Sequence, residues 1–280
     1  MPHSEYPLPL RGFKIGADPE LFLYDTVKEK YISAEGIIPG TKSKPYPVPG
    51  GAVQVDGMAA EFNINPAETF EQFNRSITSV IRALNRMLPK GVTIKNVPAV
   101  VFDEDVWESA SSTAKELGCS PDFNAWTGMC NPPPACRENP RLRTAAGHLH
   151  FGWTNGRAPN DIKHIGHCYD FVQQLDFFLG LWSTRKDPSN VRRALYGKAG
   201  ACRVKPYGVE YRVLSNFWVL DARLQEQVWT RSCRAMKAMR TSFMPEVIGK
   251  ETSFRLMQEI IDENNRDYSK IPVAAQSLVY

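Results

Sequence analysis

VQVDGMAAEFNIN, residues 53–65, decides the fold. Apolar and polar residues alternate on both sides of Gly57, so the stretch from Ala52 to Asn65 reads as a β-hairpin. One strand is Val53-Gln54-Val55-Asp56, and the return strand is Ala60-Glu61-Phe62-Asn63-Ile64-Asn65. Every second side chain of a strand shares a face, so Glu61, Asn63 and Asn65 stand together. The next element is a helix: Phe70, Phe73, Ile77, Val80, Ile81, Leu84 and Leu88 recur at helical spacing across 69–88, behind Thr69 as N-cap.

Outward from the hairpin the same two patterns alternate. Residues 14–24 read as a strand carrying a polar island at Asp18-Pro19-Glu20, His148 to Trp153 as a half-buried strand, and Val209 to Leu214 as another. Residues 92–102 read as a strand entering a loop. Residues 160–184, through Ile165, Phe171, Leu175, Phe178 and Leu181, predict a long apolar helix, and 221–243 a further one. Residues 36–51 hold four Pro and four Gly, which excludes regular structure there, and 118–146, centred on Pro132-Pro133-Pro134, reads as loop. With no repeat and no linker after residue 51, one α+β domain over 1–280 is expected.

Composition narrows the class. Hydrophobic residues make up 42% and charged residues 23%, as in a globular protein with a real core, and a net charge of +4 is too small to argue for nucleic acid. The stretch Met1 to Pro7 lacks the basic and apolar regions of a signal peptide, and no apolar run is long enough to span a membrane. The six cysteines, at 119, 130, 136, 168, 202 and 233, form no CxxC, so they read as free thiols of a cytoplasmic protein, with metal binding the alternative for Cys130 and Cys136 in their Pro-rich stretch.

The chemistry lies in ionisable pairs at period two: Asp18 and Glu20, Glu61 with Asn63, His148 and His150, Glu210 and Arg212, with Asp56 on the first hairpin strand. Each pair taken singly is an ordinary polar strand face or a cross-strand ion pair. Together, on a sheet whose other face meets helices, they make one polar surface dense in carboxylates. Like charges at close range need a cation between them. Hard divalent ions take oxygen ligands, and Mg²⁺ pairs a few carboxylates with nucleotide phosphates. No HExxH helix points to a zinc protease instead. A basic block, RRALYGKAGACRVK at 192–205, sets five cations among small residues that let a ligand approach the backbone. It suits phosphate, though it lacks the P-loop order, and a solvated basic loop has the same composition.

GADPELFL (16–23), VQVDGMAAEFNINPA (53–67), AGHLHFGW (146–153) and RRALYGKAGACRVKPYGVEYRVLSNFW (192–218), in this order, resemble the phage-type COOH–NH2 ligases (type 2 amidoligases), relatives of glutamate–cysteine ligase and glutamine synthetase. The resemblance implies a curved antiparallel sheet with helices on its convex side, and ATP, Mg²⁺ and both substrates on the concave face. It implies metal ligands at Glu20, Glu61 and Glu210, with Asp18 next and His148 or His150 near metal and phosphate. One departure is Asp-Pro-Glu where glutamate–cysteine ligases often carry Glu-x-Glu. The Pro lacks a backbone donor, which predicts an edge strand. Segments 24–52 and 103–145 match nothing specific, so no substrate is implied.

The expected function is ATP-dependent joining of a carboxylate to an amine through an acyl-phosphate, releasing ADP and phosphate. Metal falls to Glu20, Glu61, Glu210, Asp18 and His148. ATP phosphates fall to Arg193, Lys198, Arg203 and Lys205, and Arg212, Arg203 and His150 act on the reacting groups. The partners are small-molecule or peptide carboxylates and amines. No membrane partner is expected, and nucleic acid enters only as a modified base that is a substrate. Two other classes compete: a non-catalytic nucleotide- or peptide-binding module, and a zinc hydrolase using both histidines.

Overall fold

A computed structural model describes residues 12–116, 122–132, 139–187, 189–263 and 265–280. The expectations for Met1 to Pro7, Pro133-Pro134, Cys119 and Cys136 lie outside these residues. The strands are β1 (Lys14–Ala17), β2 (Glu20–Asp25), β3 (Lys30–Ile32), β4 (Tyr46–Val48), β5 (Gly51–Asp56), β6 (Ala59–Ile64), β7 (Val92–Lys95), β8 (Ala99–Val101), β9 (Phe123–Asn124), β10 (Leu142–Thr144), β11 (Leu149–Gly152), β12 (Ala201–Lys205) and β13 (Gly208–Tyr211). The helices are α1 (Phe70–Met87), α2 (Glu104–Ser109), α3 (Ser112–Lys115), α4 (Ile162–Leu175), α5 (Leu181–Lys186), α6 (Asn190–Leu195), α7 (Ala222–Ala238), α8 (Met244–Ile248), α9 (Lys250–Met257) and α10 (Val273–Val279).

Every pairing between these named strands is antiparallel. One run is β1-β11-β13-β12-β9 and another β3-β2-β6-β5-β4, with β7 also on β2. The chain from Lys14 to Asp25 belongs to both runs. Its first half pairs with β11; its second half pairs with β6 and then with β3 and β7. Pro19 marks the change of partner. The residues beside it donate to β11 and its approach, Asp18 N to His148 O at 3.4 Å and Glu20 N to Ala146 O at 2.9 Å, while the Pro19 carbonyl accepts Phe62 N at 3.1 Å. β1, before Pro19, stands at the edge of its run as expected, and β2, after it, lies inside the other. The missing donor of proline falls where the strand leaves one neighbour for the next, so no ladder bond is lost.

The result is a curled antiparallel sheet with helices on its convex side, an α+β fold. Phe73, Ile77, Val80 and Leu84 of α1 bury against β5 and β6, and α4 lies on β12 and β13. One apolar core runs from Ile15 to Val279 and takes in the inward residues of both strand runs. Each large apolar side chain buried in it contributes about 1.5–3 kcal/mol. A smaller core on the other face joins Phe22, Met58, Val100, Phe102 and Val106, and closes one end of the groove.

Thr69 caps α1 through a bond from Gln72 N, and the hairpin turns at Gly57, both as expected. Other expectations change. Within 36–51, Tyr46–Val48 forms a strand against β5, because Pro47 sits on the sheet edge where no donor is required. Within 118–146, β9 and β10 are short strands borrowed by β12 and β8. The helix expected over 160–184 is interrupted by a π-helical turn at Asp176–Gly180, which places Asp176 toward the sheet. Among the described residues no helix is long and apolar enough to cross a membrane.

Candidate active site

Antiparallel register assembles the groove in rows. Arg203, Glu210 and His150 are successive partners across β12, β13 and β11. The neighbouring row holds Asp18, His148 and Arg212, and beyond it Glu20 stands opposite Glu61, which stands opposite Gln54. The pairs at period two thus share one face. Gly147 keeps His148 in place: a Cβ there would lie 2.2 Å from the Ser215 carbonyl and 2.6 Å from Trp218 Nε1, so the GHxH segment needs glycine for close approach.

Four carboxylates gather at the change of strand partner. Glu61 is buried, accepts a 2.7 Å bond from Gln54 Nε2, and is pushed well above the usual carboxylate range by burial and by the charges of Asp18, Glu20 and Asp56. Glu20 is partly exposed as a residue, but withdrawal of its carboxyl from water, with the charge of Asp56, raises it to about 7 even though Ala146 N donates to it at 2.9 Å. Repulsion of this kind is relieved by a cation. The buried Oε1 of Gln54 accepts no hydrogen bond, which leaves an open oxygen ligand at the same place, while Asp18 Oδ1 pairs with His150 Nε2 at 3.0 Å. Asp18, Glu20, Asp56 and Glu61 thus offer the oxygen donors that hard divalent ions take, while among the described residues the ligand atoms that come within 4.8 Å of one another are those of Asp18, His150 and Glu210. Asp56 belongs to this cluster as fully as the three acids named from sequence.

Glu210 has different company. Arg212 bonds it, Lys205 Nζ lies 2.9 Å away and Arg203 Nη1 3.5 Å. Burial acts to raise its carboxyl, but Arg212, His150, Lys205 and Arg203 outweigh that and hold it at about 2. Glu210 thus organises three cations of the groove. It also completes, with Asp18 and His150, a compact trio whose ligand atoms lie within 4.8 Å of one another.

The two histidines differ in charge. His148 is pushed well below its ordinary value by burial and by Arg212, so it is neutral. Burial would lower His150 as well, but Asp18, 3.0 Å from its Nε2, reverses the effect and raises it. Its Nδ1 meets Tyr207 Oη. Sequence alone assigns His148 to the metal and His150 to the reacting groups. In the structure it is His150 that shares the trio with Asp18 and Glu210, and His148 that sits beside Arg212.

Of the basic block, Arg203 and Lys205 reach the groove through Glu210. Arg193 and Lys198 do not: Arg193 bonds Ser183 at 3.0 Å and lies 4.0 Å from Asp187, and Lys198 bonds the Asp262 carbonyl at 3.2 Å, all partners in the helical layer or the loop beyond it. Arg192, not singled out from sequence, faces the groove. Its Nη1 donates to the Val213 carbonyl at 3.0 Å, and burial lowers it to about 10. Arg143, Asp122 and Lys42 were also missed. Asp122 holds Arg212 Nε at 3.2 Å, and Lys42 holds Asp56 at 2.7 Å.

Two cavities flank the cluster. A narrow cleft of about 80 Å³ is lined by Glu20, Asp56, Arg143, His148, Arg192 and Arg212. A wider one of about 700 Å³ is lined by Asp18, Lys42, Glu61, His150, Trp153 and Tyr207 among others. The wider one is the size of a nucleotide or drug-sized ligand site; the cleft has room for a carboxylate or a single phosphoryl group.

No protein-family model and no curated protein matches the chain. Among solved structures it is similar to a bifunctional glutathione synthetase from Pasteurella multocida, at 13% identity and TM-score 0.43 over 99% of this chain and 50% of that one. It is also similar to a glutamine synthase homologue, at 12% identity and TM-score 0.44 over 96% of this chain and 64% of that one. The chain thus spans about half to two thirds of the length of these structures.

Proposed function

We propose that this protein is an ATP- and Mg²⁺-dependent carboxylate–amine ligase. The observation that carries the reading is the gathering of Asp18, Glu20, Asp56 and Glu61 beside Arg192 and Arg212, which line the cleft with Glu20 and Asp56, and beside Arg203 and Lys205, which pair with Glu210. The four acids would hold divalent ions, and such ions would supply charge neutralisation to the nucleotide phosphates. The wider cavity takes the nucleotide and the cleft takes the carboxylate to be activated.

The residues then act by position and charge. A carboxylate oxygen attacks the γ-phosphorus, the bond to the bridging oxygen breaks, and ADP leaves with that electron pair. Arg212, tied by Glu210 and Asp122, and Arg192 stand where negative charge develops in the cleft. An amine then attacks the acyl carbon, loses a proton, and expels phosphate.

The Asp18, His150 and Glu210 trio favours a second reading, a zinc hydrolase. Three cations already crowd Glu210, which disfavours a doubly charged ion beside it. The test is incubation of the purified protein with ATP, Mg²⁺ and pooled carboxylates and amines. ADP, phosphate and a product lighter by one water than its two substrates together are expected. AMP and pyrophosphate, or turnover without ATP by a protein holding stoichiometric zinc, would overturn the reading.

A further inference from the structure

Lys42 lies in a segment to which the sequence assigns no chemistry, yet its placement is built. Gly40 adopts φ +89°, and a Cβ on it would lie 2.5 Å from the Val53 carbonyl, so only glycine lets this loop press against β5. Val55 N bonds the Gly40 carbonyl at 3.3 Å, Ile38 is buried, and Thr41 and Lys44 exchange backbone bonds of 3.1 and 3.0 Å. The backbone of Lys42 is therefore pinned while its four-carbon stem stays free. Its ammonium lies 2.7 Å from Asp56, with the side chain 52% exposed. Lys42 lines the wide cavity and Asp56 the narrow cleft, so the pair stands at their boundary.

Resting on the ligase reading, we propose that Lys42 is a further catalytic residue. In the metal-free protein its ammonium takes the place of a cation on Asp56. When divalent ions occupy the carboxylates, it turns into the wide cavity and bonds the phosphate oxygens of the nucleotide. A compact ammonium on a flexible stem suits such an exchange. A permanent surface ion pair would contribute little and respond to neither ligand.

The two roles have opposite signs, and Mn²⁺ reports both. Free Mn²⁺ is measured by electron paramagnetic resonance during titration of the metal-free protein, without and with ATP. Lys42→Met is expected to bind the bare ion roughly five- to tenfold more tightly, since a competing cation is gone, and Mn·ATP roughly tenfold more weakly. Lys42→Arg should restore most of the nucleotide affinity. Unchanged affinities in Lys42→Met, or shifts of both in one direction, overturn the proposal. A native chain that takes up no Mn²⁺, or whose uptake survives Glu61→Gln, overturns the ligase reading and this proposal with it, and is seen before any Lys42 variant is compared.

Discussion

Glu20 and Glu61 stand directly opposite one another on the antiparallel strands β2 and β6, two carboxyls that repel when both are ionised. Such pairs are destabilising by roughly 0.2–1 kcal/mol. Glu61→Gln is therefore expected to raise the melting temperature of the metal-free protein by about 1–4 °C while removing Mn²⁺ binding. A variant that melts lower and still binds Mn²⁺ would take Glu61 out of the metal site.

The elevated Glu20 carboxyl sets a pH dependence. Its folded-state pKa of about 7 exceeds the ordinary 4.5, so the folded chain binds more protons than the unfolded one between these values. Its contribution to stability is full below pH 4.5 and is lost as pH rises through 7, an effect on the order of 3 kcal/mol. Glu210, held at about 2, acts with opposite sign, but only as pH falls from 4.5 toward 2. Between pH 5 and 8 the metal-free protein should lose stability, and Glu20→Gln should flatten that slope. Denaturant titrations across this range decide it; equal slopes for the two proteins would count against it.

The histidines should titrate apart. In the metal-free protein His150 is expected to keep its proton above its ordinary pKa and His148 to stay neutral well below it. Histidine ring shifts followed by NMR separate them, with His148→Asn and His150→Asn as assignments. The same two variants should lower turnover to unequal extents. Matching titration curves would show that the Arg212 and Asp18 environments do not divide them.

Asp176 is a structural test of the site's support. Its π-helical turn aims the carboxylate at three donors, Trp126 Nε1, Gly200 N and Tyr211 Oη, each at 2.7 Å, although burial pushes the carboxyl up to about 7. Tyr211 lies between Glu210 and Arg212, and Gly200 precedes β12, so both strands that carry the cations are tied to one acid. Asp176→Ala leaves buried donors unpaired and is expected to cost about 3 kcal/mol or more, measured by urea unfolding. A loss under about 1 kcal/mol would mean that these bonds are replaced by water.

Much of this was legible because period two is a local rule. Residues 18 and 20, 148 and 150, and 210 and 212 share faces whatever the tertiary fold. The hairpin also pairs Gln54 with Glu61, since both are equally far from its turn. What the rule does not contain is register between strands distant in sequence, so the Arg203–Glu210–His150 row was hidden. The basic block misled for a related reason. Arg192 and Arg193 are adjacent on α6, and helical residues one apart point about 100° away from each other, one into the groove and one into the helices. Composition alone does not choose between them. Lys42 and Asp122 reach the site through loops, where only tertiary bonds set position.

Pro19 makes the segment from Lys14 to Asp25 a splice: Asp18 is carried by the part bound to β11, and Glu20, with Glu61 opposite it, by the part bound to β6. An ion gripped by Asp18 and Glu61 together would therefore add a clamp between two runs of strands that already meet at Pro19 and at the Ile15–Ala67 bridge. Flattening or curling the sheet would stretch or slacken that grip. Occupancy of the site and curvature of the sheet are in this sense a single mechanical variable, and a substitution that stiffens residues 17–20 would be felt as a change in metal affinity.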